Sequence, residues 1–303
     1  MVTILVAVYN GEKYLNDLLN SLLNQTYKDI KIVVSDDKST DGSAVIIKNF
    51  YEKYPDKIIP LFNDISYGSA KAHFMGLLEK FQNSEYVMFC DQDDVWLEDK
   101  IEKTLKIMQE GERERPRLVH TDSYITDSNL NITHKSLKSF SSTPKELSFN
   151  KLLAENNVQG ASVMINSALI KLAGSYDENI VMHDRWVALI ASALGEIKYI
   201  DEPTLLYRQH SNNEIGANIK PHSFEYIKKR LKTDIKGDIN LSRRQAGLLI
   251  ERIGDKMPEE LRRVAENYAF SEKLPKIERL KVMKKGNIFP DVLLNKIKFI
   301  LWG

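Results

Sequence analysis

The first third of the chain alternates between two kinds of hydrophobic pattern. Four short apolar runs with many β-branched residues predict strands at residues 2–8, 30–35, 58–62 and 86–90. Between these runs, apolar residues recur every three or four positions, which predicts helices at 12–24, from 41 onward and at 68–81. Repeated strand–helix units imply a parallel sheet with helices on both faces.

The pattern becomes less regular after residue 110. A strand at 118–125 is followed by a long polar connection at 126–150. Further on, the pattern predicts helices at 167–173 and 184–194 and strands at 161–165, 197–200 and 205–208. Only helical patterns follow residue 221. We therefore divide the chain into an α/β domain, residues 1–219, and a helical C-terminal region, residues 220–303.

Charge is distributed unevenly between these two regions. Residues 220–303 carry 20 Lys and Arg against 11 Asp and Glu, whereas residues 1–219 carry 23 against 31. An acidic body without a recognised binding motif argues against nucleic acid as a partner. Cys90 is the only cysteine, so no disulfide forms within the chain. With neither a signal peptide nor a membrane-spanning stretch in view, we expect a cytoplasmic protein.

The basic C-terminal region interleaves lysines with apolar residues, as at Lys228-Lys229-Arg230 and Lys284-Lys285. Its last segment, from Phe289 to Gly303, predicts an amphipathic helix that includes Trp302. Such a helix is suited to lie on an anionic membrane surface, here the inner face of the cell membrane. Two alternatives stay open: the helix packs on its own domain, or it forms a homodimer interface.

Acidic residues follow the fourth predicted strand. The apolar run that begins at Tyr86 ends at Asp91, Asp93 and Asp94. Open α/β sheets bind ligands at the carboxyl ends of their strands, and carboxylate oxygens suit Mg²⁺ or Mn²⁺. This stretch therefore predicts a site for a metal ion and a diphosphate. The alternative is an acidic turn that caps a helix beginning near Trp96.

The first two strands also end in polar residues. Tyr9 follows the first strand, and Asp36 and Asp37 follow the second. Neighbouring strands would bring them together, where an aromatic face stacks a planar base and a carboxylate accepts a ring N–H. This combination favours a pyrimidine nucleotide. Taken singly, each segment also fits an ordinary turn rich in Asp, Asn and Gly.

Three segments together resemble the family 2 inverting glycosyltransferases of the GT-A fold: Thr3 to Gly11, Val34 to Gly42, and Asp91 to Asp94. The last segment is a form of that family's Asp-X-Asp motif, and with Trp96 after it resembles the rhamnosyltransferase branch. The resemblance covers residues 1–215. It implies an α/β fold with a mixed, mainly parallel sheet flanked by helices, followed by the helical extension.

The resemblance also implies roles for residues on the donor side. A divalent cation, Mn²⁺ or Mg²⁺, would be held by Asp93, and His210 lies where a histidine completes the metal shell in such enzymes. The diphosphate would be neutralised by the metal and by Arg208. The residues expected to hold the donor are Ala7, Tyr9, Asp36, Asp37, Asp91 and Gln92, together with Arg208.

On the acceptor side, the family's catalytic base lies on an acidic pair at the start of a helix. Here the matching pair is His183-Asp184, which keeps the second acid and replaces the first. Asp184 is thus the expected base, although it also fits a cap of a helix starting at Arg185. The expected acceptor-side residues are Trp96, Gln159, Gly160 and His183.

We therefore expect a metal-dependent inverting transferase that moves L-rhamnose from dTDP-L-rhamnose to a lipid-linked cell-surface glycan. A UDP-hexose or UDP-N-acetylhexosamine donor is the first alternative. A catalytically inactive sugar-nucleotide-binding subunit is the second. A phosphatase of the haloacid dehalogenase type fits the string Asp91 to Val95 but lacks a downstream acidic metal motif in a suitable setting.

Overall fold

The computed structural model describes residues 1–141, 147–210, 235–290 and 293–302. Strands in these ranges form one nine-stranded sheet. They are β1 (Val2–Val8), β2 (Ile30–Asp36), β3 (Ile58–Phe62), β4 (Tyr86–Asp91), β5 (Val95–Trp96), β6 (Arg117–Thr126), β7 (Ile132–His134), β8 (Val163–Asn166) and β9 (Glu196–Arg208).

Helices cover both faces of this sheet. In the first 200 residues they are α1 (Leu15–Leu23), α2 (Ser43–Lys53), α3 (Ala70–Lys80), α4 (Lys100–Gln109), α5 (Leu137–Ser141), α6 (Phe149–Leu152), α7 (Ser167–Ala173) and α8 (His183–Leu194). The C-terminal region adds α9 (Ile235–Ile253), α10 (Glu259–Ala269), α11 (Lys276–Lys285) and α12 (Leu293–Trp302). Short 3-10 helices lie at Gly160–Ser162 and Phe270–Lys273.

The sheet has a parallel half and a mixed half. Strands β3, β2, β1 and β4 are neighbours and all parallel, as the strand–helix pattern predicts. Beyond β4, strand β8 is antiparallel to both β4 and β6, β9 is parallel to β6, and β5 and β7 are antiparallel edge additions. The expected mixed, mainly parallel α/β fold is confirmed, and the carboxyl ends of β1, β2 and β4 meet at one edge.

Three local predictions are wrong. The helix expected near Trp96 begins at Lys100, because Val95 and Trp96 instead pair with β9 as strand β5. The two strands expected at 197–200 and 205–208 are one strand, whose pairing with β6 shifts register around Pro203. The polar connection at 126–150 contains β7, α5 and the beginning of α6. In the first two errors the pairing partner lies far away in sequence, and the third concerns elements of three to five residues.

The hydrophobic core consists of two clusters, one on each face of the sheet. One cluster joins the sheet to α1 and α4 through residues such as Leu18 and Ile101. The other joins the sheet to α3, α7 and α8, and also includes residues of the C-terminal helices such as Leu249 and Tyr268. The C-terminal helices therefore pack directly behind α8. The predicted boundary at 219/220 and the basic run 228–230 lie outside the described residues.

Polar contacts support the same packing. The Gln245 side chain on α9 accepts a hydrogen bond from the backbone N–H of Val181, 2.8 Å away, just before α8. Arg252 donates to the carbonyls of Ala173 and Ser175 at 3.1 and 2.8 Å. Within the ranges that the structure covers, every helix is too short or too polar to cross a bilayer.

Candidate active site

The loops after β1 and β2 form one continuous edge. Ala7 pairs with both Ser35 and Asp91 across neighbouring strands, and Val8 pairs with Asp36. Beyond the strands, the N–H of Asp37 donates to the carbonyl of Val8 at 2.7 Å. The register thus brings together residues that sequence reasoning assigned to one nucleotide site.

Tyr9 and the two aspartates differ in accessibility at this edge. The Tyr9 side chain is 58% exposed, whereas Asp36 and Asp37 are buried. Asp37 accepts hydrogen bonds from the backbone N–H of Tyr67 at 2.7 Å and from the Ser66 hydroxyl at 2.9 Å. One oxygen of Asp36 is buried without a partner among the described residues. The site therefore offers an open aromatic ring beside buried acceptor oxygens.

Gln92, the middle residue of the Asp-X-Asp motif, fixes the Tyr9 backbone. Its side-chain carbonyl accepts from the Tyr9 N–H at 2.8 Å, and its amide donates to the Tyr9 carbonyl at 3.0 Å. A side chain at Gly11 would clash here, since an added Cβ would lie 2.5 Å from Gln92 Oε1. The motif is therefore tied directly to the base-binding loop.

Asp93 and His210 form the candidate metal centre. Asp93 Oδ2 lies 2.9 Å from His210 Nε2, and both side chains are largely buried. Adjacent ligands of an octahedral Mg²⁺-sized ion are separated by about 3 Å, so this spacing allows both groups to bind one ion. In the part of the chain that the structure covers, no three acidic, histidine or cysteine side chains cluster as metal ligands. Such ions commonly use one or two protein ligands and complete their shell with phosphate and water, so the pair fits.

Asp94 and Arg208 lie next to this centre, and both residues are buried. Asp94 is fully buried, and burial together with the negative charges of Asp93 and Asp91 raises the pKa of its carboxyl well above the usual range. Asp94 accepts a hydrogen bond from the Arg208 N–H at 3.1 Å. The guanidinium of Arg208 donates to Asp17, Asp93 and Ser128 rather than facing an open cleft. Sequence reasoning missed Asp17, which is 191 positions from Arg208.

Asp184 is buried in the first turn of α8. The helix begins at His183 with Met182 in the capping position, so Asp184 is not the helix cap. Its carboxylate accepts from the Asn156 side-chain amide at 3.0 Å and from the Arg185 N–H at 2.6 Å. Burial raises the pKa of Asp184 to about 6, even though these hydrogen bonds oppose that shift. A carboxylate with this pKa is a much better proton acceptor near neutral pH than an exposed one.

The predicted acceptor-side residues divide into two groups. Gly160 and His183 lie next to Asp184, and Gln159 precedes Gly160 in the chain: an added Cβ at Gly160 would lie 2.8 Å from His183 Nε2 and 3.5 Å from Asp184 Oδ2. The side-chain carbonyl of Gln159 accepts a hydrogen bond from the Ser123 hydroxyl. The side-chain amide nitrogen of Gln159 is buried and has no partner within the described ranges. Trp96 instead lies buried in the hydrophobic cluster on the other face of the sheet.

His183 is a neutral, packed side chain. Its ring lies 4.3 Å from the Phe74 ring and 4.8 Å from the Phe89 ring, measured between centroids. Burial lowers the pKa of His183 to about 3, so the imidazole carries no charge at neutral pH. Of the two groups in the His183-Asp184 pair, Asp184 is therefore the one whose pKa suits general-base chemistry.

Comparisons with known proteins identify the family to which the chain belongs. The model of the family described as glycosyl transferase family 2 matches residues 3–172. The chain is 31% identical over 239 residues to the dTDP-rhamnosyl transferase RfbG of Shigella flexneri, covering 75% of this chain and 78% of that protein. It is 29% identical over 171 residues to the UDP-Glc:alpha-D-GlcNAc-diphosphoundecaprenol beta-1,3-glucosyltransferase WfaP of Escherichia coli, covering 56% of this chain and 62% of that protein.

Solved structures share the fold at low sequence identity. The crystal structure of S. aureus TarS 1–349 superposes with a TM-score of 0.59 at 17% identity, covering 99% of this chain and 78% of that one. The mannosyltransferase PcManGT from Pyrobaculum calidifontis, in complex with GDP-Man and Mn²⁺, gives a TM-score of 0.54 at 16% identity, covering 94% and 73%. With the family match over more than half of its length, this chain belongs to glycosyl transferase family 2 and has the GT-A fold.

Proposed function

We propose that this protein is a metal-dependent inverting rhamnosyltransferase that uses dTDP-L-rhamnose and extends a lipid-linked cell-surface polysaccharide. The observation that carries the proposal is the buried Asp184, whose pKa of about 6 suits a general base. Support for the sugar is the similarity to RfbG over three quarters of the chain. A UDP-hexose donor is the second candidate, which the similarity to the glucosyltransferase WfaP favours.

On the donor side, the exposed Tyr9 ring would stack the thymine base. Ala7, which is adjacent to both β2 and β4, would lie beneath the base, and Asp36 and Asp37 would accept its ring N–H. Asp91, at the end of β4 beside Ala7, would face the ribose or the sugar. These assignments rest on the register of β1, β2 and β4, which brings the carboxyl ends of the three strands side by side.

The metal ion would be held by Asp93 and His210, whose side chains already lie together. When bound, Mn²⁺ or Mg²⁺ supplies positive charge that stabilises the departing diphosphate. Asp93 and His210 would hold the ion beyond the end of β4, and Gln92 keeps this turn aligned with the base-binding loop.

Asp184 would remove the proton from the acceptor hydroxyl as that oxygen attacks the anomeric carbon. Attack from the face opposite the diphosphate inverts the configuration at that carbon. Asn156 holds one carboxylate oxygen, while Gly160 leaves space beside the other. The Gln159 side-chain amide would donate a hydrogen bond to the acceptor sugar. His183 would pack beside Asp184 as a neutral side chain.

The experiment that tests this function is a donor survey. Release of nucleotide would be measured for dTDP-, UDP- and GDP-sugars with Mn²⁺, with Mg²⁺ and with EDTA, in the presence of a lipid-linked glycan fraction. We expect metal-dependent cleavage of dTDP-rhamnose above all other donors. Preference for a UDP-sugar would overturn the rhamnose assignment but keep the enzyme class. Tight nucleotide binding without turnover on any donor would favour the inactive binding subunit.

The C-terminal helices supply a surface suited to an anionic membrane. On α12, Phe299 packs inward on Tyr268, while Ile297, Ile300 and Leu301 are exposed. Residues 273–303 contain eight Lys and Arg against two Asp and Glu. An exposed apolar helix face in a strongly basic segment matches the chemistry of an anionic lipid surface. We therefore place the enzyme as a peripheral protein on the inner face of the cell membrane.

This placement is tested with vesicles that contain or lack phosphatidylglycerol. Replacing Ile297, Ile300 and Leu301 by Asn should abolish co-sedimentation with the anionic vesicles. The matched control replaces three exposed apolar residues elsewhere, Val45, Ile65 and Ile132, and should bind as the wild type does. If the α12 variant still binds lipid, or instead loses a homodimer in solution, the surface serves another purpose and the membrane proposal fails.

A further inference from the structure

Arg208 is the last residue of β9, and its side chain is enclosed by the protein. It is only 3% exposed, and among the described residues its guanidinium donates hydrogen bonds to Asp17, Asp93 and Ser128. Nε donates to the Asp93 carbonyl at 2.8 Å, one terminal nitrogen to Asp17 Oδ2 at 2.8 Å, and the other to the Ser128 carbonyl at 3.0 Å. These contacts tie the guanidinium to the turn after β4 and to two other parts of the chain.

The contacts of Arg208 converge on the metal-binding turn. Its side chain holds the backbone of Asp93, and its own N–H donates to the carboxylate of Asp94. Two successive residues of the turn are therefore bonded to the end of β9. The same strand end leads, two residues later, to His210, the proposed partner of Asp93 in binding the ion.

Tyr14 joins the two parts of this arrangement. Its ring stacks on the imidazole of His210, with centroids 4.7 Å apart and planes 23° from parallel. The guanidinium carbon of Arg208 lies 4.5 Å from the centroid of the same ring. Tyr14 is itself buried at the start of α1, so it provides a fixed plane against which His210 is held.

We propose that Arg208, Tyr14 and Asp17 are positioning residues that hold Asp93 and His210 at the spacing required for one divalent cation. The proposal rests on the metal role given to that pair above. Asp17 fixes Arg208, Arg208 fixes the turn that carries Asp93, and Tyr14 fixes the ring of His210. Loss of neighbours that orient metal ligands typically lowers metal affinity by about 10- to 100-fold.

The test measures Mn²⁺ affinity by electron paramagnetic resonance in the presence of dTDP. Arg208→Gln and Tyr14→Leu should each raise the Kd for Mn²⁺ by about 10- to 100-fold. Tyr14→Phe keeps the ring and should bind Mn²⁺ as the wild type does. Asp17 is half-exposed, so Asp17→Asn tests the arrangement with little risk to folding, and should give a smaller rise in the same direction.

Arg117 provides a matched control for loss of a buried arginine. Arg117 lies on β6, the strand next to β9, and is similarly buried. Its guanidinium forms an ion pair with Glu196 and donates a hydrogen bond to the carbonyl of Ile107 at 2.8 Å. Arg117→Gln should lower the Tm yet leave Mn²⁺ affinity unchanged. An equal loss of Mn²⁺ affinity in Arg117→Gln would show that Arg208 acts only through stability.

Other outcomes separate this proposal from the function on which it rests. If Arg208→Gln keeps wild-type Mn²⁺ affinity but weakens dTDP binding measured with EDTA, Arg208 contacts the diphosphate and the positioning role is wrong. If the wild type binds Mn²⁺ with UDP but not with dTDP, the donor assignment fails while the same variants still test the positioning role with UDP. A wild type that binds no Mn²⁺ with either nucleotide overturns the metal site and the positioning role together.

Discussion

The donor edge and the pocket around Asp184 both depend on aspartates, but the groups that lie next to those aspartates differ. At the donor edge, the Asp93 carboxylate lies 2.9 Å from the imidazole of His210, a second group that can bind a metal ion. Asp184 is buried without an opposite charge strong enough to offset burial, and its pKa is raised to about 6. We infer that the donor edge is suited to bind a cation through two neighbouring ligands, whereas the pocket around Asp184 is suited to accept a proton.

The largest expected effect comes from removing the proton acceptor. Asp184→Asn should lower turnover by about 10²–10⁴-fold, because a general base typically contributes that much. The affinity for dTDP should stay at the wild-type level, since Asp184 is not part of the donor edge. Turnover is measured as nucleotide release with saturating donor and acceptor. Glu178→Gln, an exposed carboxylate before the same helix, is the control and should be fully active.

The next effect concerns the donor edge. Asp93→Ala should lower turnover by about 100-fold or more, because a bound ion contributes several kcal/mol to stabilising the transition state. Unlike Asp184→Asn, this variant should also lose the Mn²⁺-dependent part of nucleotide binding, which isothermal calorimetry measures. Wild-type Mn²⁺ dependence in Asp93→Ala would remove this residue from the metal site.

A third prediction uses the raised pKa of Asp184 to test burial itself. An unfolded Asp has a pKa near 4, so the folded protein binds the extra proton between about pH 4 and pH 6. The wild type therefore loses stability as pH rises through this window, by about 2–3 kcal/mol for this one group. Asp184→Asn lacks that loss, so its Tm should exceed that of the wild type above pH 6 and converge with it below pH 4. A constant difference across the range would contradict the burial argument.

The smallest effect concerns the exposed aromatic ring. Tyr9→Leu should raise the KM for the donor by about tenfold, since stacking a base on an aromatic side chain contributes ~1–3 kcal/mol. The kcat should change little, because Tyr9 is expected to touch only the base. Tyr51→Leu, at another exposed tyrosine, serves as the control. A change in kcat alone would place Tyr9 near the reacting centre instead.

The donor edge and the pocket around Asp184 also differ in how much of each could be predicted from the sequence. The donor edge was predictable because its residues directly follow long strands, and the register of β1, β2 and β4 brings those ends together. The partners of its residues were not predictable: Asp17 meets Arg208 and Tyr14 meets His210 only after the whole chain has folded. Such contacts leave no periodic signal in the sequence.

Around Asp184, family resemblance could supply the residue but not its environment. The pattern gave no sign that His183 would be neutral between Phe74 and Phe89, or that Asn156 would hold the carboxylate. The sequence predicts Trp96 on the acceptor side, yet the pairing of the two-residue strand β5 with β9 buries it in the hydrophobic cluster on the opposite face. Elements this short depend on pairing partners, here β9, more than on local propensity.

The most direct test of the account is to measure dTDP affinity with Mn²⁺ and with EDTA for the wild type, Asp184→Asn and Asp93→Ala. The account predicts that Mn²⁺ strengthens dTDP binding equally in the wild type and in Asp184→Asn, although the latter does not turn over, and that Asp93→Ala shows no effect of Mn²⁺. If both variants lose the Mn²⁺ effect to the same extent, or if both keep it, the division of labour between the two carboxylate regions is wrong.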